Sequence, residues 1–430
     1  MKLSFATLAV AVSLALPAHA TLNISSKPTK NVSCSSGVCT ATADKAVLNV
    51  NDLTTMLASG DIQVSTEALA AQDMEILAPL GWTSGHALTL TSNNAIYVQK
   101  PVTVGGVAHL TLNVAGGPIY RGTGAIHFAS TASALTIDGD DYALADSVAS
   151  LAAAIKANEY GFVALSNDYD AAGDGQYTRT PVGVAIFGTI DGLGNTISNY
   201  SVDDGLGSYA SLLGVTMRGA TVRNLGLVNA QVAGGNTTGF GGILLGYNRG
   251  RVIDCHATGS VNLYAGGTAA GGLTGINAGA IYRSWSDAQV QLNGDGSVGG
   301  LVGIASRGGI VDSYALGSVL LSLSGNIGGL VGNNAGRVHS SYAAVSVSGT
   351  GLHDYIGGAY GQSQTKSKNT YWDTDVGGTA ATGWGNPFGV TGLTSAALQS
   401  ALPAGFDHAV WGQDPARNNG FPYLLTNPPQ

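Results

Sequence analysis

The sequence predicts an all-β protein, namely a right-handed parallel β-helix with a few short helical insertions and a C-terminal cap. The main evidence is a repeat of 28 to 30 residues that occupies residues 241–377, because a fixed period of this size is typical of a solenoid. Glycine supplies 64 of the 430 residues, which suits an architecture with many tight turns. Short runs in which apolar and polar residues alternate precede the repeats, and this alternation is typical of strands.

Residues 1–20 are predicted to be a secretory signal peptide. Lys2 precedes an apolar run over residues 3–16, and Ala18-His19-Ala20 forms a small-x-small cleavage site. This run is too short for a good membrane span, and no later stretch reaches about 18 uninterrupted apolar residues. We therefore expect an exported chain without a membrane span in its mature form, located in the medium, on the cell surface or in the periplasm.

Residues 21–45 are predicted to be a polar, flexible lead-in that contains Cys34 and Cys39. In an oxidising compartment, two cysteines at this spacing are expected to form a disulfide. No histidine or second cysteine pair lies nearby, so a metal site is the weaker interpretation.

Residues 46–240 are predicted to form irregular coils of the β-helix, with strands wherever apolar residues alternate with polar ones. A helical insertion is predicted near residues 147–157, where apolar residues recur at helical spacing after Asp146 and Ser147, either of which can cap the helix. A shorter helix is predicted over residues 51–57.

Residues 241–377 contain the regular repeats, and their alignment predicts columns of similar side chains. Successive coils of a parallel β-helix lie about 4.8 Å apart, so equivalent residues stack on each other. Two columns of aliphatic residues are expected to fill the core: Val252, Ile281, Ile310 and Val338, and Val261, Val290, Val319 and Val347. The glycine pairs are expected at corners that need positive φ or close backbone approach, and the asparagines at positions that tolerate the left-handed conformation: Asn248, Asn277 and Asn334.

Residues 378–430 are predicted to be a C-terminal capping segment. They interrupt the repeat, contain a short predicted helix capped by Thr394 or Ser395, and are rich in aromatic residues. Open solenoid ends expose strand edges that proteins usually cover, so we expect these aromatic residues, with Trp372 before them, to cover the end of the solenoid.

The repeat Gly-Gly-Leu-Val-Gly-x-Asn-x-Gly, followed by Ser-Tyr-Ala, resembles the GLUG repeat of bacterial adhesins and of exoproteins similar to filamentous haemagglutinin. Residues 188–197, 369–373 and 411–424 resemble the segments that flank such repeats, and the resemblance covers residues 47–425. It implies a β-helix that acts as an adhesin-like or structural surface protein. Such a protein would attach to a glycan, a matrix or a cell surface without catalysis.

The alternative hypothesis is a polysaccharide-active enzyme, a hydrolase or a lyase, on the same scaffold. Glycoside hydrolysis uses two carboxyl groups that face one cleft, about 5 to 9.5 Å apart. Asp168 or Asp170 together with Asp191 could meet on adjacent coils. The sequence contains no nucleophile elbow, zinc-binding helix, phosphate loop or dinucleotide fingerprint, so we favour the non-catalytic hypothesis.

No cofactor is predicted, with calcium as a weak alternative. Asp168, Asp170 and Asp174 could offer oxygen ligands to Ca²⁺, but the spacing is not that of an EF-hand. A turn rich in aspartate and asparagine explains the same residues.

The fixed aromatic position of the repeats is the main candidate for a ligand site. If these residues point into solvent they form a stacked platform for sugar rings, whereas packing against neighbouring elements would make them a structural ladder, which we favour. The net charge of −8 argues against nucleic acid as a partner. The resemblance implies carbohydrates or surface components as partners. The column comprises His256, Trp285, Tyr314, Tyr342 and Tyr371.

Overall fold

The structure is a computed structural model that describes residues 20–66, 72–235, 239–264 and 266–429. Apart from Ala20, the predicted signal peptide lies outside the described residues. None of the helices in the described ranges has the length and apolar character needed to cross a bilayer.

The chain forms a parallel β-solenoid of about 11 turns, with about 51% strand and 9% helix, which confirms the predicted fold class. Most strands pair in parallel with the equivalent strand on the same face of the next coil. The backbone groups of one coil are therefore satisfied by the coils above and below it.

The coils that precede residue 138 have three faces. The first face contains Ala20–Ser25, Ala46–Asn49, Gln72–Ile76, Ile96–Val98 and Ile119–Tyr120. The second contains Leu80–Trp82, Val102–Val104 and Ile126–Phe128. The third contains Val38–Ala41, Ile62–Ser65, Leu88–Thr91, His109–Asn113 and Ala134–Ile137.

The lead-in belongs to the solenoid, so the prediction of a flexible segment was wrong. Ala20–Ser25 pairs in parallel with both Ala46–Asn49 and Gln72–Ile76. Its apolar side chains alternate, and Leu22 and Ile24 are completely buried in the N-terminal core. The sequence did not predict this strand because only two apolar residues alternate with its polar residues.

A hairpin and a helix separate the first coils from the later ones. Asp140–Ala145 pairs antiparallel with Ala134–Ile137 and parallel with Phe162–Leu165. The helix Val148–Ala157 lies between them and is capped by Ser147, which confirms the predicted insertion. Its buried residues Val148, Leu151 and Ile155 join the core of the later coils.

The later coils also have three faces. The first contains Val182–Ile186, Leu213–Thr216, Leu245–Asn248, Thr274–Asn277, Val302–Ala305, Val331–Asn334, Tyr360–Ser363 and Thr382–Gly385. The second contains Tyr209–Ala210, Phe240–Gly242, Thr268–Gly271, Gly296–Gly299, Gly325–Gly328 and Tyr355–Gly357. The third contains Tyr169–Asp170, Thr189–Asp191, Thr196–Ser198, Ser201–Asp204, Thr221–Arg223, Gly226–Gly234, Arg251–Ile253, His256–Leu263, Ala280–Tyr282, Trp285–Leu292, Gly309–Val311, Tyr314–Leu321, Arg337–Gly349, Lys368–Asp373 and Val390–Leu393.

Short elements complete the chain. Val32–Ser35 pairs antiparallel with Val38–Ala41, and Trp411–Gly412 pairs antiparallel with Tyr423–Leu424. The remaining helices are Val50–Leu57, Thr374–Gly377 and Ser395–Ser400, with 3-10 turns at Ala171–Asp174 and Asn418–Gly420. Asn49 caps the first helix, and Thr394 caps the last as predicted.

The aliphatic columns of the repeats face the core, as predicted. Val252, Ile281, Ile310 and Val338 are at most 1% exposed, and the second column is buried except for the half-buried Val347. Because neighbouring coils lie one strand spacing apart, each aliphatic side chain covers the one below it. The core is therefore continuous along the repeats.

The corner residues only partly follow the prediction. The glycine pairs serve close approach: a Cβ on Gly272 would lie 2.2 Å from the carbonyl oxygen of Gly300. The predicted asparagines do not adopt positive φ but are buried, and Asn248 Nδ2 donates to Asn277 Oδ1 at 2.8 Å. The non-glycine residues of the repeats that have positive φ stand two positions before the aromatic column: Asp254, Arg283, Asp312, Ser340 and Asn369.

Two adjacent glycines provide a direct test of coil-to-coil contact. A Cβ at Gly308 would lie 1.5 Å from the carbonyl oxygen of Gly279, whereas at Gly309 the nearest atom is 4.0 Å away. We expect Gly308→Ala to destabilise the repeats by about 3 kcal/mol, because the coils must separate. Thermal unfolding should show a lower midpoint for Gly308→Ala and little change for Gly309→Ala; equal midpoints would contradict this contact.

Candidate functional site

The aromatic column lies on the outer side of the third face, in register from coil to coil. His256 pairs with Trp285, Trp285 with Tyr314, and Tyr314 with Tyr342. The first four rings stack in parallel planes, with centroids 4.8, 5.5 and 5.1 Å apart. The residue after each of them points the other way, so Ala315 and Ala343 belong to the solenoid core.

A C-terminal segment, residues 394–429, covers this column along its length. Phe406, Trp411 and Leu424 of the segment form one buried cluster with Trp285, Tyr314, Tyr342 and Tyr371. The Trp411 ring lies 6.0 Å from the rings of both Tyr314 and Tyr342, and its Nε1 donates to Asp312 Oδ1 at 3.2 Å. The segment is thus held by packing along the column and by polar contacts at its edge.

Backbone carbonyl groups of the segment accept hydrogen bonds from the column. Tyr371 Oη donates to Ala404 O, and Tyr342 Oη donates to Pro422 O, each at 2.7 Å. Trp285 Nε1 donates to Asn427 O at 2.8 Å. As the segment advances toward the C-terminus, its partners in the column come from successively earlier repeats. The segment therefore runs back along the solenoid toward the first repeats.

This arrangement decides one expectation and changes another. The aromatic column is not a solvent-facing platform but packs against neighbouring residues, which is the alternative that the sequence favoured, because each of its five residues is at most 8% exposed. The C-terminal segment covers a lateral face rather than the end of the solenoid: Thr382–Gly385 and Val390–Leu393 are the last strands of the parallel sheets, and Trp384 remains 53% exposed there. The physical reason is the column itself, since an outward strip of aromatic rings has a large area to bury.

His256 ends the column on the side of the irregular coils. Its Nδ1 lies 2.8 Å from Asn427 Oδ1, and its ring stacks on Trp285. Burial lowers the pKa of His256 to about 4, although the hydrogen bond with Asn427 acts in the opposite direction. The imidazole is therefore neutral at physiological pH.

A cleft of about 940 Å³ opens beside the column, between the C-terminal segment and the coils. Its walls carry both signs of charge, with Lys100 and Arg417 against Asp168 and Asp287. His127 and Thr196 also line it. Its volume lies within the range of about 300 to 1,000 Å³ that is usual for ligand sites.

Asp191 is a structural residue, so the predicted carboxylate pairs that include it were wrong. It is fully buried, and its Oδ2 lies 2.7 Å from Nε of Arg223. Its Oδ1 accepts from Leu193 N at 2.8 Å and from Asn224 Nδ2 at 3.0 Å. A buried, fully bonded carboxylate cannot reach a substrate in the cleft.

The three aspartates considered for calcium each bind groups of their own turn or of the next coil. Asp168 accepts from the backbone and hydroxyl of Thr196, and Asp170 from Ala172 N and Asn199 Nδ2. Asp174 accepts from the hydroxyls of Tyr169 and Tyr177. Within the part of the chain that the structure describes, no three acidic, histidine or cysteine side chains are gathered to hold a metal ion.

The cysteines have structural positions. Cys34 and Cys39 are joined in a disulfide across the hairpin of Val32–Ser35 and Val38–Ala41, 4.1 Å apart at Cα. Cys255 is buried in the column of small residues one position before the aromatic column, where its backbone N donates to Ser284 Oγ at 3.1 Å. Burial raises the pKa of the Cys255 thiol to about 12, so it stays protonated.

Several residues of the cleft escaped sequence analysis. Lys100 and His127 lie in irregular coils, and Arg417 lies on the returning segment, so no fixed spacing relates them. Asp287 did carry a signal, since it stands two positions after Trp285, next to the aromatic column. The signal was weak because the equivalent position of the next coil is Leu316.

No family model matches this chain. A curated relative is halomucin of Haloquadratum walsbyi (strain DSM 16790 / HBSQ001), which is 32% identical over 224 residues, or 50% of this chain. The match spans only 2% of the length of halomucin. The similarity therefore concerns a small part of a much longer protein.

Among solved structures, a crystal structure of a Bacteroides ovatus protein described as a putative immunoglobulin A1 protease is similar to this chain. The TM-score is 0.51, and the match covers 67% of this chain and 93% of that one. The sequences are 21% identical, so the likeness concerns the fold alone.

Trp411 should hold the C-terminal segment on the column. Trp411→Ala removes the ring that packs on Tyr314, Tyr342 and Phe406, and we expect the docked segment to lose about 3 to 5 kcal/mol. Amide hydrogen exchange should then show faster exchange throughout residues 394–429. The matched change Trp384→Ala removes a half-exposed ring and should leave this segment protected; equal exchange in both variants would contradict the proposed anchoring.

Burial of neutral His256 should make the protein less stable in mild acid. The unfolded imidazole has a pKa of 6.5, whereas the folded pKa is about 4, so below pH 6.5 the unfolded chain binds a proton that the folded chain does not. The contribution of neutral His256 to the free energy of unfolding is therefore fully present above pH 6.5. As the pH falls toward 4, this free energy decreases by up to about 3 kcal/mol.

Denaturant unfolding at several pH values will measure this loss. His256→Phe keeps a ring on Trp285 and should show a shallower decline of unfolding free energy between neutral and acidic pH. The same change at exposed His353 should keep the slope of the parent. Identical slopes for the His256 variant and the parent would contradict the assignment.

Proposed function

We propose that this protein is an exported, non-catalytic β-helix that mediates attachment through its lateral surface to a carbohydrate or another surface component. The observation that carries the proposal is the 32% identity to halomucin over 224 residues, because the name of that relative points to a mucin-like surface protein. The GLUG-type repeat of adhesin-like exoproteins supports the same class.

The geometry supports attachment through the cleft rather than through the aromatic column. The C-terminal segment buries the aromatic column, so a ligand cannot reach its rings. The cleft beside the column has a volume of about 940 Å³ and polar walls. Its mixed charges favour a ligand without a large net charge.

The test begins with the location of the protein. Antibody labelling of intact cells and analysis of the culture medium should detect it, since a chain confined to the periplasm could not attach to an outside surface. The purified mature chain, tested against immobilised glycans, matrix proteins and cell envelopes, should show saturable binding to a subset of them.

Two outcomes would contradict this function. The first is the absence of binding to every immobilised surface, together with a purely periplasmic location. The second is release of soluble oligosaccharides that stops in Asp287→Asn. Because Asp287 and Asp168 line the same cleft, this release would favour the polysaccharide-active enzyme instead.

A further inference from the structure

Basic residues are concentrated in one row of turns on the solenoid. The row connects the first face to the third face in six successive coils, at residues 217–221, 249–251, 278–280, 306–309, 335–337 and 364–368. These turns contain seven of the 18 lysine and arginine residues of the chain and none of its 26 aspartate and glutamate residues. In a chain with a net charge of −8, this row, which we call the basic ridge, is a region of opposite sign.

The basic side chains of the ridge are exposed and extend along the solenoid axis. They are Arg218, Arg249, Arg251, Arg307, Arg337, Lys366 and Lys368. Because successive coils lie about 4.8 Å apart, the six turns span about 24 Å. In the described part of the chain, the arginines that form ion pairs are Arg179, Arg223 and Arg283, none of which belongs to the ridge. The charges of the ridge are therefore available to a ligand.

The residues on either side of the ridge do not neutralise it. On the third face, the neighbouring half-buried residues are Ile253, Tyr282 and Val311, followed by His339. On the first face, the half-buried residues that precede the turns are also uncharged: Val215, Tyr247, Ile276, Ile304, Asn333 and Gln362. The ridge thus lies between two strips of mainly apolar side chains.

The nearest acidic residues in the sequence have partners of their own. Asp254 Oδ2 lies 2.8 Å from Arg283 Nη2, and Asp312 Oδ1 accepts from Trp411 Nε1 at 3.2 Å. Glu159 meets the corresponding turn of the preceding coil, where its carbonyl oxygen accepts from Phe187 N at 2.8 Å. The acid-free row therefore begins at the coil of Arg218.

Three arginines of the ridge line one pocket of about 270 Å³. Arg218, Arg249 and Arg307 come from the first, second and fourth turns, and the third turn contributes only the small side chain of Ala278. The guanidinium group of Arg249 lies 4.6 Å from the centre of the Tyr247 ring, which also lines the pocket. Like charges around one pocket repel each other, and an anionic group between them would remove this repulsion.

Protection of a strand edge does not explain the ridge. Basic residues often discourage aggregation at the free edge of a sheet. The turns of the ridge, however, belong to coils whose strands on the first and third faces pair with a coil on each side. Five of the seven basic residues lie on these internal coils or next to them, so a ligand is the better explanation.

The ridge suits a polyanion of moderate charge density. Guanidinium groups form paired hydrogen bonds with carboxylate and sulfate groups. The ridge offers roughly one basic residue for each coil, whereas double-stranded DNA carries one charge for about every 1.7 Å. The acidic body of the protein would repel so dense a polyanion. Half-buried Tyr247 and Tyr282 add apolar surface against which the C–H groups of sugar rings can pack.

We propose that the basic ridge binds an acidic polysaccharide along the solenoid axis, with one of its carboxylate or sulfate groups in the pocket of Arg218, Arg249 and Arg307. The ridge is a second binding surface, because none of its residues lines the cleft. The inference therefore goes beyond the attachment proposed through the cleft, and its failure would leave that proposal standing.

Isothermal titration calorimetry of the full chain without its predicted signal peptide tests the proposal. The probes are octamers of galacturonate, which carry carboxylates, and octasaccharides of chondroitin sulfate, which also carry sulfates, with maltooctaose as the neutral comparison. At least one acidic probe should bind, and the neutral probe should not. Raising the salt from about 0.05 M to about 0.5 M should weaken this binding, because salt screens exposed charges.

The double change Arg249→Gln and Arg307→Gln removes two charges from the pocket. It should weaken binding of the acidic probe about three- to tenfold, since exposed ion pairs are individually weak. The matched control is Lys27→Gln with Lys30→Gln, which removes two exposed charges far from the ridge and should bind like the parent. All four side chains are exposed, so both variants should unfold near the midpoint of the parent.

The pattern of binding decides between the outcomes. Weaker binding in the arginine variant but not in the lysine variant supports the ridge, and the two acidic probes show whether a carboxylate alone is sufficient. Equal loss in both variants would mean that only net charge matters and would overturn the proposal. Binding of maltooctaose as tight as that of the acidic probes, or no binding of either acidic probe, would also overturn it. So would tighter binding to a single-stranded oligonucleotide or to vesicles of phosphatidylglycerol and phosphatidylcholine.

Discussion

The hydrogen bonding of each coil to the next is the constraint on which the rest of the structure depends. A parallel pairing at an offset of 28 to 30 residues brings equivalent positions of successive repeats into contact. Whatever one repeat places at a position therefore touches its own counterparts. Valine and isoleucine form the core in this way, asparagine and serine form buried polar ladders, and one aromatic position becomes a continuous stack.

The aromatic stack in turn explains the path of the chain after the last coil. The rings project outward because the following residues, such as Ala315, fill the core. An uncovered strip of four stacked rings would be a large apolar patch on a surface with little charge. The chain returns along the strip, and the polar ends of Trp285, Tyr342 and Tyr371 bind its carbonyl groups. The segment thus buries the rings without leaving most of their polar atoms unpaired.

Periodicity made the repeats and their core predictable from the sequence, because one rule determines every coil. The same rule could not place the C-terminal segment. Trp411 and Phe421 indicated that this segment covers part of the solenoid, but they did not indicate which surface it covers. The positions with positive φ also escaped prediction, because residues of four different types occupy them: Asp254, Arg283, Asp312, Ser340 and Asn369. Asp191 was misjudged because its partner Arg223 lies one coil away. The cleft depends on such non-repetitive neighbours throughout.

A repetitive stack and a specific site have opposite requirements, since the first needs equal residues at equal positions and the second needs unlike groups that converge. In this protein the two meet where the column ends. In the coils that precede His256, the position of the aromatic column holds Gly226 and then Thr196, whose side chains are small. A Cβ on Gly226 would lie 2.4 Å from Cε1 of His256, so glycine lets the imidazole lean over the next coil. Tyr120, His256 and the end of the returning chain line one small space at this break, because the repeat no longer dictates which residues lie there.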